Sequence, residues 1–428
     1  MFMTNVEMSE LGNGVRVVTS AMEHVESVSI GVWVASGGRY ETKALNGTSH
    51  FIEHLLFKGT QKRSARDISR AIEGRGGYLN AFTQEENTCY FSRVAFDQLE
   101  TAMDVLCDMY LNARLSQEDI AKERDVIVEE IMMYRDQPHH VVHELLTSAL
   151  WRGHPLGLPI SGTPEVLASV SRRDIMGYMR DHYVPGNTVI AVAGQVDHAK
   201  CVDLVRGHLG RRRARHVPRP RRVTAKTRRQ DMAAEGRAVE QTHVAAGYRL
   251  FGRRDPRRYP LRVMNAVLGE NMSSRLFQVV RETHGLAYSI HSSCHLYQDT
   301  GALLISAGLD RKRSRRALDL VAREVRKLKT RRIGAREMRR AKDYVTGQIR
   351  LSLESTSHQM MWLGDNILAH GAYISPDDVI ERVEKVTADE VLELANTVLN
   401  PDMLSLAVVG PEDVCKAPEK LRIPFKAD

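Results

Sequence analysis

The sequence predicts two homologous α+β domains of roughly 200 residues each, and three observations lead there. The first is length, since 428 residues suit two to three domains. The second is an internal repeat. Val170–Gly194 reads VSRRDIMGYMRDHYVPGNTVIAVAG, and Val386–Gly410 reads VTADEVLELANTVLNPDMLSLAVVG. Each is a capped helix, a proline-bearing turn and an apolar strand closed by glycine. Val170 and Val386, Pro185 and Pro401, and Gly194 and Gly410 are all 216 residues apart. Val28 and Gly31 match Val244 and Gly247 at the same offset. The third is that alternating strands, such as Ser27–Ser36, are mixed with amphipathic helices within each copy.

Composition bounds the rest. The chain is 43% hydrophobic with a net charge of +8, ordinary for a globular protein with sizeable cores. No apolar run is long enough to span a membrane. The N-terminus MFMTNVEMSE has neither the basic and apolar regions of a secretory signal nor the character of a transit peptide. Cys89, Cys107, Cys201, Cys294 and Cys415 are scattered without a C-x-x-C pair, which reads as free thiols in a reducing cytoplasm. Arg211–Gln230 holds ten basic residues, two prolines and no acid. It reads as a linker, dividing the chain into 1–213, a basic linker 214–236, and 237–428. A second basic run, Arg311–Arg340, alternates with Leu318, Val321, Val325 and Leu328 and reads as one amphipathic helix with a cationic face. Solvated basic faces are common. Nucleic-acid or anionic-membrane binding is the sharper reading of such runs, but no aromatic interleaving accompanies them, so no nucleic-acid partner is expected.

Chemistry concentrates at His50-Phe51-Ile52-Glu53-His54, an H-x-x-E-H run within a short apolar helix capped by Thr48 or Ser49 and ended by Gly59. Histidines four apart lie one turn apart on one helix face, a spacing that lets both bind one Zn²⁺ at about 2.0–2.1 Å. Glu53 lies on the same side, suited to take a proton from water. Histidines in an apolar helix are also found as hydrogen-bonded core residues, yet three polar side chains on one face are costly to bury without partners. A catalytic zinc takes a third protein ligand. On Glu118–Asp136, Ile120, Ile127 and Ile131 mark the buried stripe. Glu123 and Glu130 flank it, whereas Glu129 faces away. Glu130 is therefore the candidate third ligand and Glu123 a residue that orients the site; a solvated acidic face is the plainer reading of the same pattern.

The stretch Gly47–Thr60, GTSHFIEHLLFKGT, resembles the zinc motif of the pitrilysin/insulinase metallopeptidases, in particular the branch of mitochondrial processing peptidases and their bacterial homologues. That family places a glutamate ligand 76 residues after the second histidine, which lands on Glu130, and an orienting glutamate seven residues earlier, which lands on Glu123. Leu79-Asn80-Ala81-Phe82-Thr83 is similar to its substrate-binding edge strand, and His154-Pro155-Leu156-Gly157 to a further family segment. Arg281 and Tyr288 match its substrate-binding arginine/tyrosine pair. The resemblance runs from about Gly12 to about Gly410. It implies two α/β rolls, each a largely antiparallel sheet with helices packed on one face. It further implies one zinc per chain held by His50, His54 and Glu130, Glu53 as general base, and extended peptide bound at Asn80 and Ala81. Arg281 and Tyr288 would support the substrate carbonyl. In two-domain relatives the arginine/tyrosine pair serves a neighbouring subunit, so the resemblance implies a homodimer with shared active sites.

The second copy lacks the metal set. No H-x-x-E-H follows Thr60, and Arg350 stands where Glu130 would recur. His143-Glu144 begins an H-E-x-x-H that ends in Thr147; His139 and His143 read as surface residues near a helix start. Neither G-x-S-x-G nor a P-loop is present, and Gly74–Gly77 reads as a turn into a strand. The function these features imply is zinc-dependent hydrolysis of unfolded or short peptides in a chamber. The alternative is a non-catalytic core or helper subunit of a related complex.

Overall fold

The computed structural model describes residues 5–224 and 231–416. Eleven strands among these residues form two sheets. The first sheet comprises β1 (Asn5–Glu10), β2 (Arg16–Ala21), β3 (Ser27–Val34), β4 (Tyr78–Thr83), β5 (Thr88–Ala95) and β6 (Thr188–Gly194), in the spatial order β1-β2-β6-β3-β5-β4. The second comprises β7 (Met232–Gly236), β8 (Gln241–Leu250), β9 (Ala287–Leu296), β10 (Gly301–Asp310) and β11 (Leu404–Gly410), in the order β7-β11-β8-β10-β9. Apart from β1, the two orders are the same pattern. In each, one parallel pair (β2 with β6, β7 with β11) sits in an otherwise antiparallel sheet. β11 repeats β6 at the offset read from sequence. The fold is thus the duplicated, antiparallel-dominated α/β arrangement that the sequence predicts.

Central strands β3 and β6 are buried almost throughout because both sheet faces are covered. In the first unit, Val28, Ile30, Val32, Ile190 and Val192 face one large core with Phe51, Leu55, Leu106, Ile120, Ile127 and Ile175 from the helices. The alternate residues Val18, Trp33, Cys89, Val189 and Ala191 pack under Met360, Leu363 and Ile367 of the Thr356–His370 helix. The expectation of helices on one face is therefore extended by a single helix on the other. Those three side chains are fully buried, each contributing about 1.5–3 kcal/mol. Close approach requires small residues: a Cβ on Gly364 would lie 2.2 Å from the Trp33 ring, and one on Gly31 2.4 Å from Met360 Sδ. The second unit repeats the device. The Pro138–Leu150 helix lays Val142, Leu146 and Leu150 over Ala245, Ala302, Ala407 and Val409.

The opposite-face helices come from the other half of the sequence. One compact unit comprises Met1–Met132, Leu158–Arg221 and Leu351–Ile374; the other comprises Met133–Gly157, Arg222–Arg350 and Ser375–Asp428. The contiguous division into 1–213 and 237–428 therefore exchanges a helical segment in each direction. Of the basic linker 214–236, residues 225–230 lie outside the described residues, and Met232–Gly236 is not linker but strand β7, paired with β11. The basic run Arg311–Arg340 is likewise not one helix. Ser314–Thr330 and Ala335–Ser352 are separate helices, broken where buried Ile333 turns inward before Gly334.

Candidate metal centre

The motif helix runs Thr48–Leu56 and buries Phe51, Ile52, Leu55 and Leu56. Neither Thr48 nor Ser49 caps it. Its N-cap is Gly47 at φ +91°, the left-handed region that glycine tolerates best, and a distant side chain serves the free N–H groups. The Glu41 carboxylate accepts from Gly47 N at 2.7 Å, Ser49 N at 2.6 Å and Asn46 Nδ2 at 3.1 Å. Burial pushes the Glu41 carboxyl up to about 7, against these hydrogen bonds, which favour its charged form. Ser49 Oγ also meets Tyr178 OH at 2.9 Å. The helix start is thus held by buried polar contacts, and the far end closes at Phe57, before Gly59.

Buried residues on one side leave His50, Glu53 and His54 on the other. Glu130 reaches them from the Gln117–Arg135 helix, whose buried residues are Ile120, Glu123, Ile127 and Ile131. His50 Nε2 stands 3.7 Å and His54 Nε2 3.6 Å from Glu130 Oε2. Donor atoms of all three residues lie within 4.8 Å of one another, the only such group among the described residues. These spacings exceed an ordinary hydrogen bond, but ligands arranged tetrahedrally at about 2.0–2.2 Å around zinc stand about 3.3–3.6 Å apart. The donor set therefore fits a zinc ion. Glu123, buried, bonds His54 Nδ1 at 3.2 Å and Lys58 Nζ at 2.8 Å, fixing the ring so that Nε2 faces Glu130.

The charges follow from this crowding. Burial, then the neighbouring His54, pushes His50 down to about 4. Burial also lowers His54, but the Glu130 and Glu123 carboxylates outweigh it and raise the group. Burial raises Glu53, against a hydrogen bond of 2.6 Å from Thr83 Oγ1 to its Oε2. Thr83 stands on β4, so the edge strand orients the glutamate. Thr83, Lys58 and Glu41 were not assigned roles from sequence. The first two lie inside the recognised motifs, where alternation on β4 and the four-residue step from His54 to Lys58 carry the signal. Glu41 acts across a loop, and no periodicity marks it.

Asn80 and Ala81 lie on β4, which among the described residues pairs with β5 alone and leaves its other edge open. Arg281 and Tyr288 lie in the second unit. Arg281 lies in the last turn of a short π-type helix, Phe277–Thr283, with its guanidinium over the Phe277 ring at 4.7 Å. Tyr288, on edge strand β9, is 78% exposed. Arg350, the counterpart of Glu130, is on the Ala335–Ser352 helix. All five cysteines are free thiols. Among the described residues, no helix is long and apolar enough to cross a membrane.

Comparison with known proteins agrees with this architecture. Residues 16–164 match the family model for insulinase (peptidase family M16), and residues 169–345 match that for the peptidase M16 inactive domain. An uncharacterized zinc protease of Mycobacterium leprae is 39% identical, across 96% of this chain and 94% of that one. One from Bacillus subtilis is 38% identical, across 93% and 97%. The chain belongs to the M16 peptidase family. Among solved structures, a protease from Helicobacter pylori superposes with a TM-score of 0.91 at 21% identity, covering 96% of this chain and 100% of that one. A chain of complex III2 from Candida albicans gives 0.82 at 20% identity, covering 95% and 96%. These two likenesses concern the fold.

Proposed function

We propose that this chain is a zinc endopeptidase acting on unfolded or short peptides. The observation that carries the reading is the convergence of two Nε2 atoms, each 3.6–3.7 Å from one carboxylate oxygen, beside a glutamate oriented by Thr83. His50, His54 and Glu130 would hold one zinc ion, which, when bound, polarises a carbonyl and acidifies water. Glu53, whose carboxyl burial raises above its ordinary value, takes the proton of the attacking water. It then delivers that proton to the leaving amine. Asn80 and Ala81, on the open edge of β4, bind an extended peptide by backbone pairing. Edge pairing reads backbone more than side chains, which suits unfolded substrates and leaves precursor processing and peptide clearance both within reach. Free thiols throughout support a cytoplasmic setting.

The test is a peptide library incubated with the zinc-loaded chain and read by mass spectrometry. Cleavage should vanish with a chelator and with Glu53→Gln. Cleavage persisting in either case would overturn the assignment. The family resemblance supports a homodimer in which Arg281 and Tyr288 serve shared sites. Mixing Glu53→Gln with Tyr288→Phe chains should then restore activity in exchanged dimers, and no recovery would count against sharing.

A further inference from the structure

Histidines gather in the second unit. Pairing sets their faces. On β10, Ser306 stands opposite His291 of β9, and Gly308 opposite His243 of β8. Alternation then places His243 and His291 on the sheet face that Val142, Leu146 and Leu150 cover through Ala245 and Ala302. Near the start of the Pro138–Leu150 helix the apolar contacts give way to imidazoles. His139 faces His243 with ring centroids 6.4 Å apart, and His143 faces His291 at 6.5 Å with planes 29° apart. His143 Nε2 lies 3.1 Å from Ser306 Oγ. His139 and His291 are exposed and His143 and His243 half-buried, so an ion can enter.

We propose that His139, His143, His243 and His291 form a second metal site, for a borderline divalent transition ion such as Zn²⁺ or Ni²⁺, that clips the helix to the sheet. The donor chemistry is imidazole alone, which suits those ions over Mg²⁺ or Ca²⁺. His139 and His143, four apart on one helix, form a ready two-point chelate, and the sheet supplies the opposing donors. Two imidazoles sharing one tetrahedral ion have centroids about 5 Å apart. Rotations closing each facing pair by roughly 1–1.5 Å bring that pair to ligand spacing; the two pairs join through His139 and His143, one helical turn apart. Only His50, His54 and Glu130 stand within 4.8 Å already, so this second site forms on binding. Burial and the surrounding imidazoles hold His143 below its ordinary value, which keeps it neutral and able to ligate.

The experiment is calorimetric titration of the chelator-stripped full chain with Zn²⁺ and, separately, Ni²⁺ at pH 7.5. Wild type should bind two equivalents, and His50→Ala/His54→Ala should keep one. His143→Asn/His291→Asn should lose one, with its far-UV circular dichroism and metal-free melting unchanged; His139→Asn, at an exposed position, should weaken the same equivalent. If the motif-helix variant bound no metal, or the two cluster variants bound as wild type does, the proposal would fail. Because the motif-helix variant lacks the other donor set, this outcome is independent of whether the chain hydrolyses peptides.

Discussion

Glu41→Gln isolates the tether that positions the motif helix. In the wild type, Glu41 Oε1 takes Ser49 N–H, while Oε2 takes Gly47 N–H and the Asn46 amide. A glutamine has one acceptor oxygen. Placing it where Oε2 stands keeps two donors satisfied and turns an NH₂ group toward Ser49 N–H. One buried donor then loses its partner, costing about 1–3 kcal/mol; Glu41→Ala, which strands three donors, should cost about 3–5 kcal/mol. For a unit of this size, 2 kcal/mol corresponds to a fall in Tm of about 4–8 °C. Calorimetry at pH 8, where Glu41 is ionised, with chelator present reads it without a contribution from bound metal. The sign of the pH dependence is a second check. Burial raises Glu41 from 4.5 to about 7. Stability from its neutral form is therefore complete below about pH 4.5 and is lost as pH rises through 7. The wild type should lose stability between pH 5 and 8 with a slope that Glu41→Gln lacks. Equal melting of the two proteins at pH 8, or equal slopes, would refute the reasoning.

Glu53→Gln should lower peptide cleavage by about 10²–10⁴-fold while metal content, measured by elemental analysis, stays at the wild-type value. Glu123→Ala frees His54 Nδ1 and should weaken zinc binding by about 10–100-fold, read by competition with a coloured chelator. Gly364→Ala places a methyl group against the buried Trp33 ring and should destabilise the first unit by about 1–3 kcal/mol, read by urea unfolding.

Much of the fold was legible because its signals are periodic. The apolar strand Thr188–Gly194 recurs as Leu404–Gly410, and its repetition announced the duplicated sheet. His50, His54, Glu123 and Glu130 could be placed on helix faces by counting at 100° per residue, and the structure brings their side chains together. What periodicity cannot supply is the identity of the surface that a buried stripe meets. Met360, Leu363 and Ile367 mark a buried face, but nothing in them says that it covers Trp33, more than three hundred residues earlier. Glu41 escaped for a similar reason, since its partners lie across a loop rather than along a helix. The imidazoles around His143 come from one helix and two strands, so only the folded chain shows them facing one another.

The exchanged helices have a practical consequence for anyone wishing to isolate the half that carries the motif helix. Ending the polypeptide after Arg213 would discard Leu351–Ile374 and strip the lid from Val18, Trp33, Val189 and Ala191. A fragment with that greasy slab open to water should clump rather than dissolve. Supplying the Thr356–His370 peptide in trans, or fusing it to the fragment by a flexible tether, is the route by which such a half would become tractable.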